Sequence, residues 1–290
     1  VKFLIAVTFA LTVLAAPLSV AAAAPAEEEE REVEKETKFP DRHWEEMRKN
    51  MEDEGPEAVI KFIGAFEDDE QRRQLYSFGR FAFAMKEWEG KNLDGLIAVA
   101  NAGIAEGLRQ AEAATSSEDS AKLVDYANVL SYNLSADLAE CWPGDTLPRE
   151  RRHFEAGLKA ADDCIRWREE LAKGPEPFAI AYWAKGMHQL SLGDVDGAVE
   201  NFKKSYDYNV ELAKEGGTAA EVSPEAGFGL ILAEGYAGLA EWVRGDEAGK
   251  GRYETAITAF REGAEKYPEK KDDFQFGIDQ LEWVKAKFVK

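Results

Sequence analysis

Residues 181–205 read AYWAKGMHQLSLGDVDGAVENFKKS, and this stretch decides the fold. Apolar and small side chains recur every three or four positions on both sides of Gly193-Asp194, the spacing that lines one face of a helix. A glycine between two such runs ends the first helix, because it adopts the left-handed conformation that a helix C-terminus uses. The aspartate after it is a good cap for the second. The stretch is a helical hairpin.

The punctuation repeats. Gly90, Gly144, Gly193 and Gly245 recur about every 50 residues, a period that marks repeat architectures, and the last three are each followed by aspartate. Sustained period-2 alternation, the sign of strands, is nearly missing. The patterning predicts paired helices at 57–66 with 70–89, 92–114 with 118–141, 147–172 with 178–192, 195–214 with 224–243, and 252–266 with a closing helix at 271–289. A short helix carrying Trp44, Met47 and Met51 precedes them. Thr146 before Pro148, and Ser223 before Pro224, are the expected helix starts. The expected fold is all-α, a helical-hairpin array or α-solenoid over residues 41–290 with a C-terminal closing helix.

Gly186, Gly193, Ala198, Phe202 and Ser205 set a small residue on the first helix, a turn glycine, then small, aromatic and small residues on the second. In this the stretch resembles a tetratricopeptide repeat. Gly238, Gly245, Ala256, Phe260, Gly263 and Pro268 form a second copy, in which Gly245 to Ala256 is six residues longer than Gly193 to Ala198. Gly90, Gly95, Val99 and Ala102 make one looser copy, and Gly144, Ala156, Ala160 and Cys164 another. The resemblance covers about residues 70–268 and is strongest over 178–268. The period exceeds the family's roughly 34 residues, which implies lengthened helices and loops.

The resemblance implies a groove along the first helix of each hairpin. By position, Ile180, Trp183, Met187 and Leu190 would face it in one unit, and Leu232, Gly235 and Leu239 in the next. It implies a non-catalytic adaptor, with no cofactor or metal, that binds a protein or peptide. The alternative is a solute- or lipid-handling accessory of a transport system, with Tyr182, Trp183, Tyr236 and Trp242 lining a closed pocket.

Charge narrows the partners. With 56 acidic against 36 basic residues the formal charge is -20, and nucleic acid or an anionic membrane surface needs the opposite sign. Lys2, the apolar run Phe3–Leu14 and the alanines at 21–24 have the form of an export signal, cleaved after Ala23. No cysteine stands near it to carry a lipid. Residues 24–40 are expected to be a charged tether and the mature chain periplasmic or secreted. Cys141 and Cys164 fall at a helix end and well inside the next helix, too far apart to bridge, so both are expected to be free and mostly buried.

No constellation for catalysis emerges. The sequence holds no His-Glu-x-x-His, Gly-x-Ser-x-Gly or Cys-x-x-Cys motif. Gly245–Gly251 is one residue short of a phosphate loop and lacks its Ser or Thr. Asp194–Gly197 lacks the remaining ligands of a calcium loop, so turn chemistry is the expected role. His43, His153 and His188 fall on separate helices, and Asn133-Leu134-Ser135 matches a glycosylation acceptor inside a predicted helix.

Overall fold

The computed structural model describes residues 38–289. The expected export signal, and nearly all of the expected tether, lie outside the described residues. Among the described residues eleven α-helices follow one another: α1 Trp44–Glu54, α2 Pro56–Gly64, α3 Asp69–Met85, α4 Leu93–Ala113, α5 Ser117–Leu138, α6 Arg151–Glu170, α7 Pro175–Leu192, α8 Val195–Glu215, α9 Phe228–Arg244, α10 Glu247–Lys266 and α11 Lys271–Phe288. Short 3-10 turns, Pro40–His43 and Pro268–Lys270, precede α1 and α11. Among the described residues there is no strand, only an isolated bridge between Ala219 and Ala226. The protein is all-α.

Local chemistry places the boundaries. Asp68, Asn92, Ser116, Asp194 and Asp246 each accept a backbone N–H from the first turn of the helix they cap, satisfying donors that a helix start otherwise leaves open. Pro56 and Pro175 open α2 and α7, where a missing N–H costs nothing. The turns at Gly193 and Gly245 are the same device. Both glycines are left-handed, at φ 84° and 97°. Gly193 N–H donates to Leu190 O at 3.1 Å and Asp194 N–H to Gln189 O at 2.9 Å; Gly245 N–H donates to Trp242 O at 2.9 Å and Asp246 N–H to Glu241 O at 3.0 Å.

The other two glycines differ. Gly90 and Gly144 lie inside the longer connections 86–92 and 139–150, and neither caps a helix. The second helix of the third expected pair starts three residues early, at Pro175 instead of 178, and its partner α6 begins late, at Arg151 instead of near Leu147. Asp145 accepts the N–H of Leu147 at 2.9 Å, and the Arg149 guanidinium is drawn onto Asp145, Asp137 O and Leu138 O. Those bonds hold residues 145–149 out of the helix until Glu150 and His153 cap it reciprocally, Glu150 N–H donating to His153 Nδ1 at 3.0 Å. Likewise α9 begins at Phe228, not at Pro224, and α3 ends at Met85, where Trp88 turns back onto Trp44 and Phe83.

Each helix from α3 onward packs on its successor, most extensively α7 on α8 and α9 on α10, the two pairs joined through Gly193 and Gly245. The α6/α7 and α8/α9 groupings expected from sequence touch as well, but less extensively. At the α9/α10 crossing a Cβ on Gly238 would stand 2.6 Å from Tyr253 N and 2.7 Å from Gly249 O. The small–aromatic–small set at this crossing is Gly249, Tyr253 and Ala256, one register earlier than the sequence comparison places it. Phe260 and Gly263 instead meet Phe274 of the closing helix. The residues that looked inserted after Gly245 are the first turns of α10.

This crossing makes a prediction. Gly238→Val should cost about 1–3 kcal/mol, because rigid backbone cannot yield to the added methyls. Gly251→Ala, on the same pair of helices but with open space around its Cβ, should gain about 0.5–1 kcal/mol. Urea denaturation of both variants checks the sign of each.

Buried side chains gather in two main cores. Met47, Val59, Ile63, Leu75, Phe83, Leu96 and Leu134 fill the space among α1–α5. Met187, Phe202, Ile231, Tyr236, Phe260 and Leu281 fill that among α7–α11, and the connection after α5 contributes Ala139 and Cys141 to it. No helix among the described residues is long and apolar enough to cross a membrane.

Candidate functional site

The face of α7 and α9 nominated by the sequence is covered by the chain itself. Three of the nominated side chains, Met187, Leu190 and Leu239, are 0–3% exposed and form part of the α7–α11 core. Ile180, Trp183 and Leu232 keep partial exposure. Gly235 faces Leu281 of α11, whose Cδ1 would lie 2.4 Å from a Cβ there. The open groove expected from the family pattern is therefore replaced, over Met187, Leu190 and Leu239, by packed interior. Two long-range partners belong to the same interior: the connection that follows α5, and α11.

The connection is built to hold an aromatic ring in place. After α5 ends at Leu138, the Trp142 indole donates Nε1–H to Ala136 O at 2.8 Å, and Asp145 N–H closes a turn onto Trp142 O at 3.1 Å. Gly144, at φ 79°, lets the chain reverse there. The Trp142 ring meets Trp183 of α7 edge-on at 6.1 Å and lies nearly parallel to Phe276 of α11 at 6.4 Å. Trp183 in turn meets Tyr236 of α9 at 6.0 Å, and Tyr236 stacks on Phe202 of α8 at 5.2 Å. Five aromatic rings thus run without a break from the closing helix to α8.

A small polar cluster sits under this run. Cys141 is fully buried, and the buried amide of Gln280 donates Nε2–H to its sulfur at 3.5 Å. Tyr236 OH lies beside Cys141, and Trp183 lies beside Tyr236, but neither Tyr236 OH nor Trp183 Nε1 reaches a hydrogen-bond partner within bonding geometry. Burial pushes the Cys141 thiol up to about 12 and the Tyr236 phenol well above its usual value. The cluster is neutral at physiological pH and carries no thiolate nucleophile. It offers hydrogen bonds, not attack. At the rim, Lys287 of α11 pairs with Glu140 at 2.9 Å.

The remaining sequence candidates take structural roles. Asp194 accepts from Gly197 N–H and Gln189 Nε2, both ordinary turn bonds. Gly245–Gly251 is the αL turn and first turns of α10. His43 packs among Phe39, Phe62 and Phe66, His153 caps α6 and touches Asp94, and His188 is buried against Ser135. Cys141 and Cys164 are both free and buried. Among the described residues no three His, Cys, Asp or Glu side chains are grouped to hold a metal ion. A cleft of about 340 Å³ among α4, α5 and α6, lined by Asn101, Ile104, Ser131, Lys159 and Trp167 among others, contains none of the nominated residues.

Sequence reasoning missed Trp142, Phe276 and Gln280. One signal was available: Cys141-Trp142-Pro143-Gly144 places a large aromatic in a Pro-Gly turn, where it can only be sheltered by docking on a distant surface. No protein-family model, characterised protein or solved structure matches this chain.

Proposed function

We propose that this chain is an exported, non-catalytic, tetratricopeptide-like helical-repeat protein that binds a protein or peptide partner as an adaptor in the cell envelope. The observation that carries the reading is the seat of Ala139–Trp142: a non-helical stretch of polypeptide, with its Cys and Trp side chains inserted, lies on the face of α7 and α9. A face that receives a peptide segment from its own chain has the chemistry to receive one from another. It supplies an apolar floor, an aromatic wall and two unpartnered donors, Trp183 Nε1–H and Tyr236 O–H. The matching turns at Gly193 and Gly245 and the small–aromatic crossings support the repeat class, and the leader-like run Phe3–Leu14 supports export.

A photo-crosslinking residue at position 183 or 232 of the full chain, activated in producing cells, tests this. One discrete adduct at those positions, missing when the crosslinker stands at exposed Glu118 of α5, is the expected result. Absence of an adduct at both 183 and 232 counts against partner binding at this face. Thermal stabilisation by a lipid or small organic acid, in that case, transfers the reading to solute handling.

A further inference from the structure

We propose that the contact between residues 139–142 and α11 is a latch, which opens as a local unit and uncovers the α7/α9 face while the helical pairs stay folded. The proposal rests on the partner-binding reading for its purpose, but the latch itself is a property of the chain alone. Three contacts tie the segment to α11, the Trp142–Phe276 ring pair at 6.4 Å, the Gln280–Cys141 hydrogen bond at 3.5 Å and the Glu140–Lys287 ion pair at 2.9 Å, and the edge-on Trp142–Trp183 contact at 6.1 Å seats it on α7.

Each contact is weaker than the packing around it. An N–H···S bond at that length is poor, and the ion pair is partly solvated, with side chains 26% and 32% exposed. Phe276 is only half-buried. Closing the latch also leaves Tyr236 OH and Trp183 Nε1 buried without partners, a penalty that opening to water relieves. By contrast α7 on α8 and α9 on α10 are joined by short turns and packed along their lengths. A segment without helix, flanked by Pro143 and Gly144 and held by such contacts, belongs to the low-stability end of the molecule.

The two free thiols report on this directly. Cys141 is shielded by the latch, whereas Cys164 sits within α6 among Ile165, Phe178 and Ala181, its thiol donating to Ala161 O at 3.1 Å. Exposing Cys164 requires separating α6 from α7; exposing Cys141 requires only the latch to open. Both thiols are protonated in the closed state, burial holding them at about 12 and about 11, so each reacts only when its cover leaves.

The experiment is labelling of the full chain with N-ethylmaleimide in native buffer, followed by peptide mass spectrometry. Cys141 should label faster than Cys164, at a rate insensitive to low urea. Phe276→Ala should raise the Cys141 rate about tenfold through loss of the ring pair, with the Cys164 rate and the circular dichroism unchanged. Lys287→Glu, on the exposed rim, should act in the same direction without touching the core. Two thiols labelling together at a rate that follows global unfolding overturn the latch, as does a Cys141 rate indifferent to both substitutions. No partner enters the measurement, so failed crosslinking with selective Cys141 labelling sinks the binding reading and leaves the latch standing.

Discussion

Phe202→Ala is expected to cost about 3–5 kcal/mol of folding stability, the range for removing a fully buried aromatic. The ring is 0% exposed and fills the seam between successive helical pairs. It stacks on Tyr236 of α9 at 5.2 Å and presses on Gly186 of α7, where an added Cβ would come within 2.8 Å of it. Truncation leaves a void that neither neighbour can enter, since α7 and α9 are each fixed by a closed turn at their C-terminus. Phe81→Ala on α3, where the side chain is 40% exposed, is the comparison and should stay within about 1 kcal/mol. Urea unfolding followed by circular dichroism measures both. Equal small losses would show that the α8 seam is not packed as described.

Acid is expected to weaken the protein through His188, by about 3 kcal/mol between pH 6.5 and 4. The imidazole is fully buried against the backbone of Gly157, Nε2 lies 2.9 Å from Ser135 O, and Nδ1 has no partner. Burial lowers its pKa from 6.5 to about 4. Above pH 6.5 folded and unfolded chains both carry the neutral ring, and the group has no effect. As pH falls from 6.5 to 4 the unfolded chain takes up a proton that the folded chain refuses, so stability drops across that window and levels off below it. His188→Gln removes the titration, and its stability should fall less steeply than that of the natural chain. Parallel curves for the two proteins between pH 7 and 4.5 would refute the assignment.

The helices were legible because their boundaries are local. Gly193-Asp194 and Gly245-Asp246 announce both the end of one helix and the cap of the next, and the structure closes both with the same pair of hydrogen bonds. Errors arose where a distant side chain overrules local preference. Thr146-Leu147-Pro148 has the form of a helix start, but Arg149 reaches back to the end of α5 and keeps the segment irregular. The register of the second copy slipped because Gly249, Tyr253, Ala256, Phe260 and Gly263 repeat one spacing twice, and only the position of Gly238 selects between the two.

The candidate site was half visible for a related reason. Periodicity marks which side chains of α7 and α9 share a face, Ile180, Trp183, Met187, Leu190, Leu232 and Leu239 among them. It does not say what comes to lie on that face. The answer depends on residues 37 to 97 positions away, before and after that face, and Trp142 and Phe276 carry no pattern that links them.

The sequence distance across the closing contact has a consequence for how the protein is made. Glu140 and Lys287 are separated by 147 positions, whereas α7 and α8 meet across a single tight turn. Bringing distant segments together carries the larger loop-closure cost and comes late, after neighbouring helices have paired. The helical pairs therefore form first, and Cys141 and Trp142 receive the cover of α11 only afterwards. Folding thus ends with α11 closing over a connection that already rests on α7.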